Sequence, residues 1–360
     1  MKPLALPVIL VWLAAVSLFF TFYLGFINIR YFRHALRVVS GRTDKAGADE
    51  DGQISRFQAL ATSLSGTVGL GNIGGVAVAV SIGGPGATLW MVVMAFFSMS
   101  TKFAETVLGV KYRHYRDTDH PMRISGGPMY YLRDGFANRN IPYLGTFLGG
   151  MFAVACICGS FGAGNMFQAN QAYQQALNVT GGEGQSFLDG SGWIFGAVMA
   201  CLVGLVIIGG IRSIARVTSR LVPVMGVAYL LVSLYVIAVH YALVPEAIIK
   251  IFAGAFSPEA GFGGFVGALL TGINRAAFSN EAGLGSAAIV HSAARTNQPV
   301  SQGFVGMLGP FIDTVIICTV TALVIVVTGA YQGGGGNIEG VQLTSDALEA
   351  GSIYGPHMLA

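Results

Sequence analysis

Residues 66–75 read GTVGLGNIGG and residues 279–286 read SNEAGLGS, and each stretch interrupts a long apolar run. The first puts five glycines into ten residues. Each glycine costs about 1 kcal/mol relative to alanine in a helix, so the backbone there is expected to unwind. The tripeptide Gly-Leu-Gly recurs at residues 69–71 and 283–285, at similar depth in two spans that run in opposite directions, the mark of an inverted repeat. Unwound backbone inside a bilayer is tolerated only where it is buried or lines a cavity. In secondary transporters its freed amides hold a substrate carboxylate and its carbonyls hold Na⁺. Close helix packing through small residues is the competing reading, and it accounts for glycines such as Gly196 and Gly204.

The surrounding composition demands a membrane. Of 360 residues, 53% are hydrophobic and 10% charged, with 51 glycines and a mean hydropathy of +0.65. A soluble domain carries about 25% charged residues. No Asp, Glu, Lys or Arg occurs over residues 57–101, 140–182 or 221–245, and each gap exceeds the ~20 residues an α-helix needs to cross the hydrocarbon. Eight spans are predicted, at residues 4–28, 59–82, 87–110, 144–176, 193–211, 221–243, 263–292 and 303–329. The first is too long for a signal peptide and leads into Arg30, Arg33 and Arg37, so it is read as a retained helix. This class excludes a soluble enzyme, a disordered chain and a nucleic-acid binder, and the segments lack the alternation of barrel strands.

Lysines and arginines set the orientation. The loops 29–58, 111–143, 212–220 and 293–302 hold 16 of the 20, which makes them cytoplasmic and puts the N-terminus outside. Lys2 and Lys250 fall on the other side, and Lys102 and Arg275 lie within spans. Residues 341–350 carry a weak helical pattern and are expected over the outer face.

Polar groups at membrane depth mark candidate sites. Asn165, Gln168, Gln171 and Gln175 project from one helix face, with Phe161 or Phe167 alongside; they either face substrate, Gln168 first, or bond neighbouring helices. Asp313, followed by Thr314, either ligates Na⁺ or pairs with Arg275, and Glu281 would cap a half-helix starting at Ala282. His240 and His291 lie near span ends and read as interfacial. Cys156, Cys158, Cys201 and Cys318 sit in apolar runs and read as small hydrophobes, not as zinc ligands or a disulfide. Gly69-x-Gly71-x-x-Gly74 matches a dinucleotide fingerprint, but without the preceding strand or an acidic residue about 20 positions on, nucleotide binding is rejected.

GTVGLGNIGG, FSNEAGLGSAA (residues 278–288) and GPFIDTVIICTVTA (residues 309–322) resemble the alanine/glycine:cation symporters, also called sodium:alanine symporters, with similarity over nearly the whole chain. The resemblance implies import of alanine or glycine driven by Na⁺, with no other cofactor, on a fold of paired five-helix inverted repeats. Carried over residue by residue, it suggests Thr67, Gly69, Gly71 and Asn72 from the first break, Asn280 and Gly283 from the second, and Phe167 and Gln168 from the polar-faced helix. The resemblance also implies three further spans beyond Ala360, among them helices that complete a cation site and part of the pocket.

The expectation is therefore an all-α polytopic transporter of a bacterial inner membrane, neither an enzyme nor a nucleic-acid partner. It forms one domain over residues 1–360: an extra helix at 4–28, a first repeat at 59–243 and a partial second at 263–360. Coupling to H⁺, another small neutral amino acid, an inactive fragment, a channel and a membrane-embedded enzyme remain as alternatives.

Overall fold

The computed structural model describes residues 8–42, 51–115, 124–182, 184–256, 261–333 and 340–351. Lys2 and the start of the first predicted span lie outside the described residues. The apolar helix α1 (Val8–Tyr23) turns through Gly25 and Phe26, both at positive φ, into the short α2 (Ile27–Arg30) and the surface helix α3 (Phe32–Val39). Ser55 then starts α4 (Arg56–Thr67) with a capping box: its hydroxyl accepts from the Gln58 amide at 3.1 Å, and Gln58 Oε1 accepts from the Ser55 amide at 2.9 Å. α5 (Leu70–Gly83) and α6 (Ala87–Lys111) follow.

On the basic side, strands β1 (His114–Tyr115) and β2 (Ile124–Ser125) form a small antiparallel hairpin before α7 (Pro128–Ala137). α8 (Pro142–Gly159) continues through a π-helical turn, Ser160–Met166, into α9 (Phe167–Val179). α10 (Gly192–Ile207) and α11 (Gly210–Val239) come next, then α12 (Val244–Phe256), an amphipathic helix that the loop composition did not announce. α13 (Gly261–Asn280) and α14 (Ser286–Ser292) are the two pieces of the second broken span. α15 (Pro299–Pro310) passes into a second π segment, Phe311–Cys318, and on to α16 (Thr319–Thr328). The π segment begins where Pro310 has no N–H to give the ladder. A short α17 (Ala330–Gly333) and α18 (Val341–Glu349) complete the described chain.

The predicted spans are all present as helical segments. Five runs are long and apolar enough to cross a membrane: Arg56–Gly83, Ala87–Lys111, Pro142–Val179, Gly210–Val239 and Pro299–Thr328; Val8–Tyr23 and Gly192–Ile207 are shorter apolar helices. Burial follows the same logic. Small side chains such as Ala77, Ala79 and Ala276 are fully buried between α5, α6, α13 and α16, while Phe147, Leu205 and Leu231 on α8, α10 and α11 are exposed. So many large exposed apolar groups suit lipid and not water. The molecule is an all-α polytopic membrane protein.

Candidate functional site

The first break is shorter than its glycine count suggests. α4 ends at Thr67, Val68 (φ −77°, ψ 104°) and Gly69 (φ 169°, ψ −137°) are extended, and α5 resumes at Leu70. Gly66, Gly71, Gly74 and Gly75 stay helical. Two of these glycines serve close approach: a Cβ on Gly74 would lie 3.1 Å from the Val341 amide of α18, and one on Gly71 would touch Phe278 at 3.7 Å. No side chain caps the N-terminus of α5.

The second break spans residues 281–285. Glu281 (φ 52°), Gly283 (φ 90°) and Gly285 (φ 80°) all occupy the left-handed region, which glycine adopts at little cost and which strains a glutamate by about 1–2 kcal/mol. The second half-helix starts at Ser286 and not at Ala282, because the left-handed residues carry the turn further than the sequence pattern indicated. Glu281 still meets its start: Ser286 Oγ donates to Glu281 Oε2 at 2.5 Å.

Two side chains of α6, which sequence reasoning passed over, reach this break. Lys102 Nζ donates to the Asn280 carbonyl at 2.8 Å, and Glu105 Oε1 accepts from the Gly285 amide at 3.0 Å. Both are buried, at 2% and 8% exposure. A signal was present: opposite charges one helical turn apart, directly after a long charge-free run.

Between the breaks lies a cavity of about 370 Å³ lined by Ser65, Thr67, Gly69, Gly71, Gln168, Phe278 and Glu281, among others. A second of about 410 Å³ shares Gly164, Glu281 and Leu284 with it and adds Gly283 and Ser286. The structure thus gathers Thr67, Gly69, Gly71, Gln168 and Glu281 around the first cavity, adds Phe278 to it, and puts Gly283 on the adjoining second one. Phe167 does not line it but packs edge-on against Phe278, centroids 5.8 Å apart.

Asn72 and Asn280 do not line the cavity but sit in a buried polar knot with Ser279, Asp313 and Thr314. Ser279 Oγ donates to Asn72 Oδ1 at 2.8 Å, Asn72 Nδ2 donates to the Asp313 carbonyl at 3.1 Å, and Thr314 Oγ1 donates to Asp313 Oδ1 at 2.6 Å. Asn280 Oδ1 accepts from the Ala282 amide at 3.0 Å. Thr67 stands on the cavity wall, its hydroxyl donating to the Leu64 carbonyl at 3.4 Å. Among the described residues no ion pair joins Asp313 to Arg275, which lies one turn before Ser279 on α13.

The polar face of α9 divides. Gln168 faces the cavity. Gln171 Oε1 accepts from the Val341 amide at 3.2 Å and Gln175 Nε2 donates to Ser345 Oγ at 3.1 Å, so these two hold α18 in place over α5 and α9. Asn165 lies in the π turn and is exposed, like its described neighbours Phe161, Gly162, Gly164 and Met166.

Comparison with known proteins adds the family context. The model of the sodium:alanine symporter family matches residues 2–360. The sodium/alanine symporter AgcS of Methanococcus maripaludis is 40% identical over 346 residues, which are 96% of this chain and 73% of that protein. An uncharacterized transporter of Haemophilus influenzae is 40% identical over 351 residues, 95% of this chain and 71% of the relative. The probable sodium/glutamine symporter GlnT of Bacillus subtilis is 33% identical over 343 residues, 95% and 67% of the two chains.

Proposed function

The chain belongs to the sodium:alanine symporter family, and from that premise we propose that it imports alanine or glycine together with Na⁺ by alternating access. The observation that carries this reading is the cavity of about 370 Å³ set against both helix breaks, near the lower end of the ~300–1,000 Å³ range of ligand sites. The substrate carboxylate lies at the uncapped start of α5, against the backbone of Gly69 and Gly71, where helix amides and dipole favour an anion. Its ammonium faces Glu281, with Thr67 and Gln168 as further polar contacts. Phe278 and Leu284 cover the small side chain, braced by Phe167 from behind.

Na⁺ is assigned to the buried polar knot, with Asp313 and Thr314 as ligands. Asn72, Ser279 and Asn280 join α5, the second break and the π segment into one network there. Each ligand then stabilises the geometry the other requires, which is the source of coupling. Arg275 belongs to the scaffold in this scheme. The two broken spans are the equivalent first helices of paired inverted repeats, at about residues 59–243 and from about residue 263 onward, with the helix at 4–28 outside the pair. The distribution of lysine and arginine places the N-terminus outside an inner membrane.

Reconstitution into proteoliposomes tests the proposal. Alanine is expected to accumulate under an inward Na⁺ gradient and to fail to do so with choline. Equal accumulation in choline without a proton gradient would remove Na⁺ from the scheme, and accumulation driven by a proton gradient alone would assign Asp313 to H⁺.

A further inference from the structure

We infer that Lys102 and Glu105 of α6 are positioning residues that hold the second break in its unwound geometry, each completing the backbone of one broken end. The inference rests on the proposed reading of the breaks as the transport site. Where the second span breaks, the Asn280 carbonyl at the end of α13 and the Gly285 amide before α14 both lie in the buried interior, apart from water, and each needs a partner. α6 supplies both. Lys102 Nζ donates to the Asn280 carbonyl at 2.8 Å, and Glu105 Oε1 accepts from the Gly285 amide at 3.0 Å. The Gly283 amide approaches the same carboxylate from within the break.

The backbone of α6 comes close enough for this because both halves pack on it through small residues. A Cβ on Gly272 of α13 would lie 2.6 Å from the Ala87 carbonyl, and one on Gly109 would lie 2.7 Å from the Ala288 carbonyl of α14. Lys102 and Glu105 stand three residues apart, about 4.5 Å along one face of the helix, and each bonds one end of the break. Each bonds a backbone group, and among the described residues no contact ion pair joins the two, although the Lys102 charge also acts on the Glu105 carboxylate through space. Two ionisable groups buried at this depth are costly unless they serve the site. Here they fix the peptide planes that turn Glu281 and Gly283 toward the cavities. Among the described residues no charged side chain bonds the backbone of the first break.

The direction of each hydrogen bond gives a sharp test. A lysine cannot accept from an amide, and a carboxylate cannot donate to a carbonyl. In the proteoliposome assay, Lys102→Met and Glu105→Met are expected to raise the alanine concentration for half-maximal uptake about tenfold, the scale set by one buried backbone group left unpartnered, with maximal velocity little changed. Lys102→Arg and Glu105→Gln, which keep the donor and the acceptor, should stay near the unaltered protein. The exchanged pair, Lys102→Glu with Glu105→Lys, should be as impaired as the singles.

Amide hydrogen exchange of the same proteins in detergent should show faster exchange over residues 281–286 in both Met variants and the exchanged pair, and none in α11. This readout needs no substrate. If the unaltered protein moves no alanine, the transport reading falls while the exchange data still decide the role of the pair. Should a Met variant fail to accumulate, the exchanged pair and the two conservative variants carry the exchange measurement. Unchanged half-saturation and unchanged exchange in the altered proteins, or full recovery in the exchanged pair, would overturn the inference; recovery would make the two residues an ordinary ion pair.

Discussion

At the scale of single residues, the two Gly-Leu-Gly tripeptides do different work. Gly283 needs its positive φ of 90°, and a Cβ there would meet Leu13 Cδ2 at 2.6 Å, whereas Gly71 is helical and faces the cavity with its nearest neighbour, Phe278, 3.7 Å away. Gly71→Val is therefore expected to leave the melting temperature within a few degrees of the unaltered protein and to weaken alanine binding at least about tenfold by filling ligand space. Gly283→Val should cost folding itself, by about 1–3 kcal/mol, through backbone strain and overpacking. Calorimetric titration and melting curves on both variants separate the effects; unchanged alanine affinity in Gly71→Val would mean that this glycine serves packing alone. Asp313 gives the second test at this scale. As it makes no ion pair with Arg275, Asp313→Asn should raise the Na⁺ concentration for half-maximal uptake, and adding Arg275→Gln should neither restore nor deepen the defect beyond about 0.5 kcal/mol of non-additivity. Recovery in the double variant would reinstate the pair.

Elements are tied together by polar residues that a local pattern cannot apportion. The spacing of Gln168, Gln171 and Gln175 identifies a common face, yet only contact with α18 distinguishes the cavity residue from the two anchors. Gln175→Leu should release α18, at a cost of about 1–3 kcal/mol for the buried groups left without partners, seen as faster hydrogen exchange over residues 341–349; unchanged exchange there would show that apolar contacts hold the helix. On the basic side, His114 of β1 links the hairpin to α7 by bonding the Asp134 carboxylate, which its neighbour Arg133 on α7 also bonds. Burial pushes the Asp134 pKa up, but the bonds from Arg133 and His114 outweigh it and hold the carboxyl below its ordinary value. A lowered folded pKa contributes stability that is complete above the unfolded value of about 3.9 and fades as pH falls through the folded one. Acid below about pH 4 should thus loosen this hairpin by under about 1 kcal/mol, and Asp134→Asn should abolish that pH dependence in exchange measurements.

Across the whole molecule, the proposed orientation rests on charge placement. Arg220, in the basic segment 212–220 that the structure makes the first turns of α11 and not a loop, is exposed, and Arg220→Cys should react with a membrane-impermeant maleimide in inside-out vesicles and not in intact cells; reaction from outside would reverse the orientation. Sequence by itself determined that this chain enters a membrane and where two of its long apolar spans break, but not α12 or the start of α14 at Ser286. Hydropathy, charge-free length and glycine content are local properties, and a bilayer reads them locally. The first break nonetheless closed to Val68 and Gly69, because Gly74 was spent on contact with α18. What the tertiary structure alone decided is which polar groups meet. Lys102 and Asn280 are 178 residues apart, Glu105 and Gly285 180, and the Asn72 side chain and the Asp313 carbonyl 241. Such meetings depend on how each helix is rotated about its axis. Where lipid and protein interior are equally apolar, hydrophobic pattern barely constrains that rotation; close packing and the two π segments set it instead.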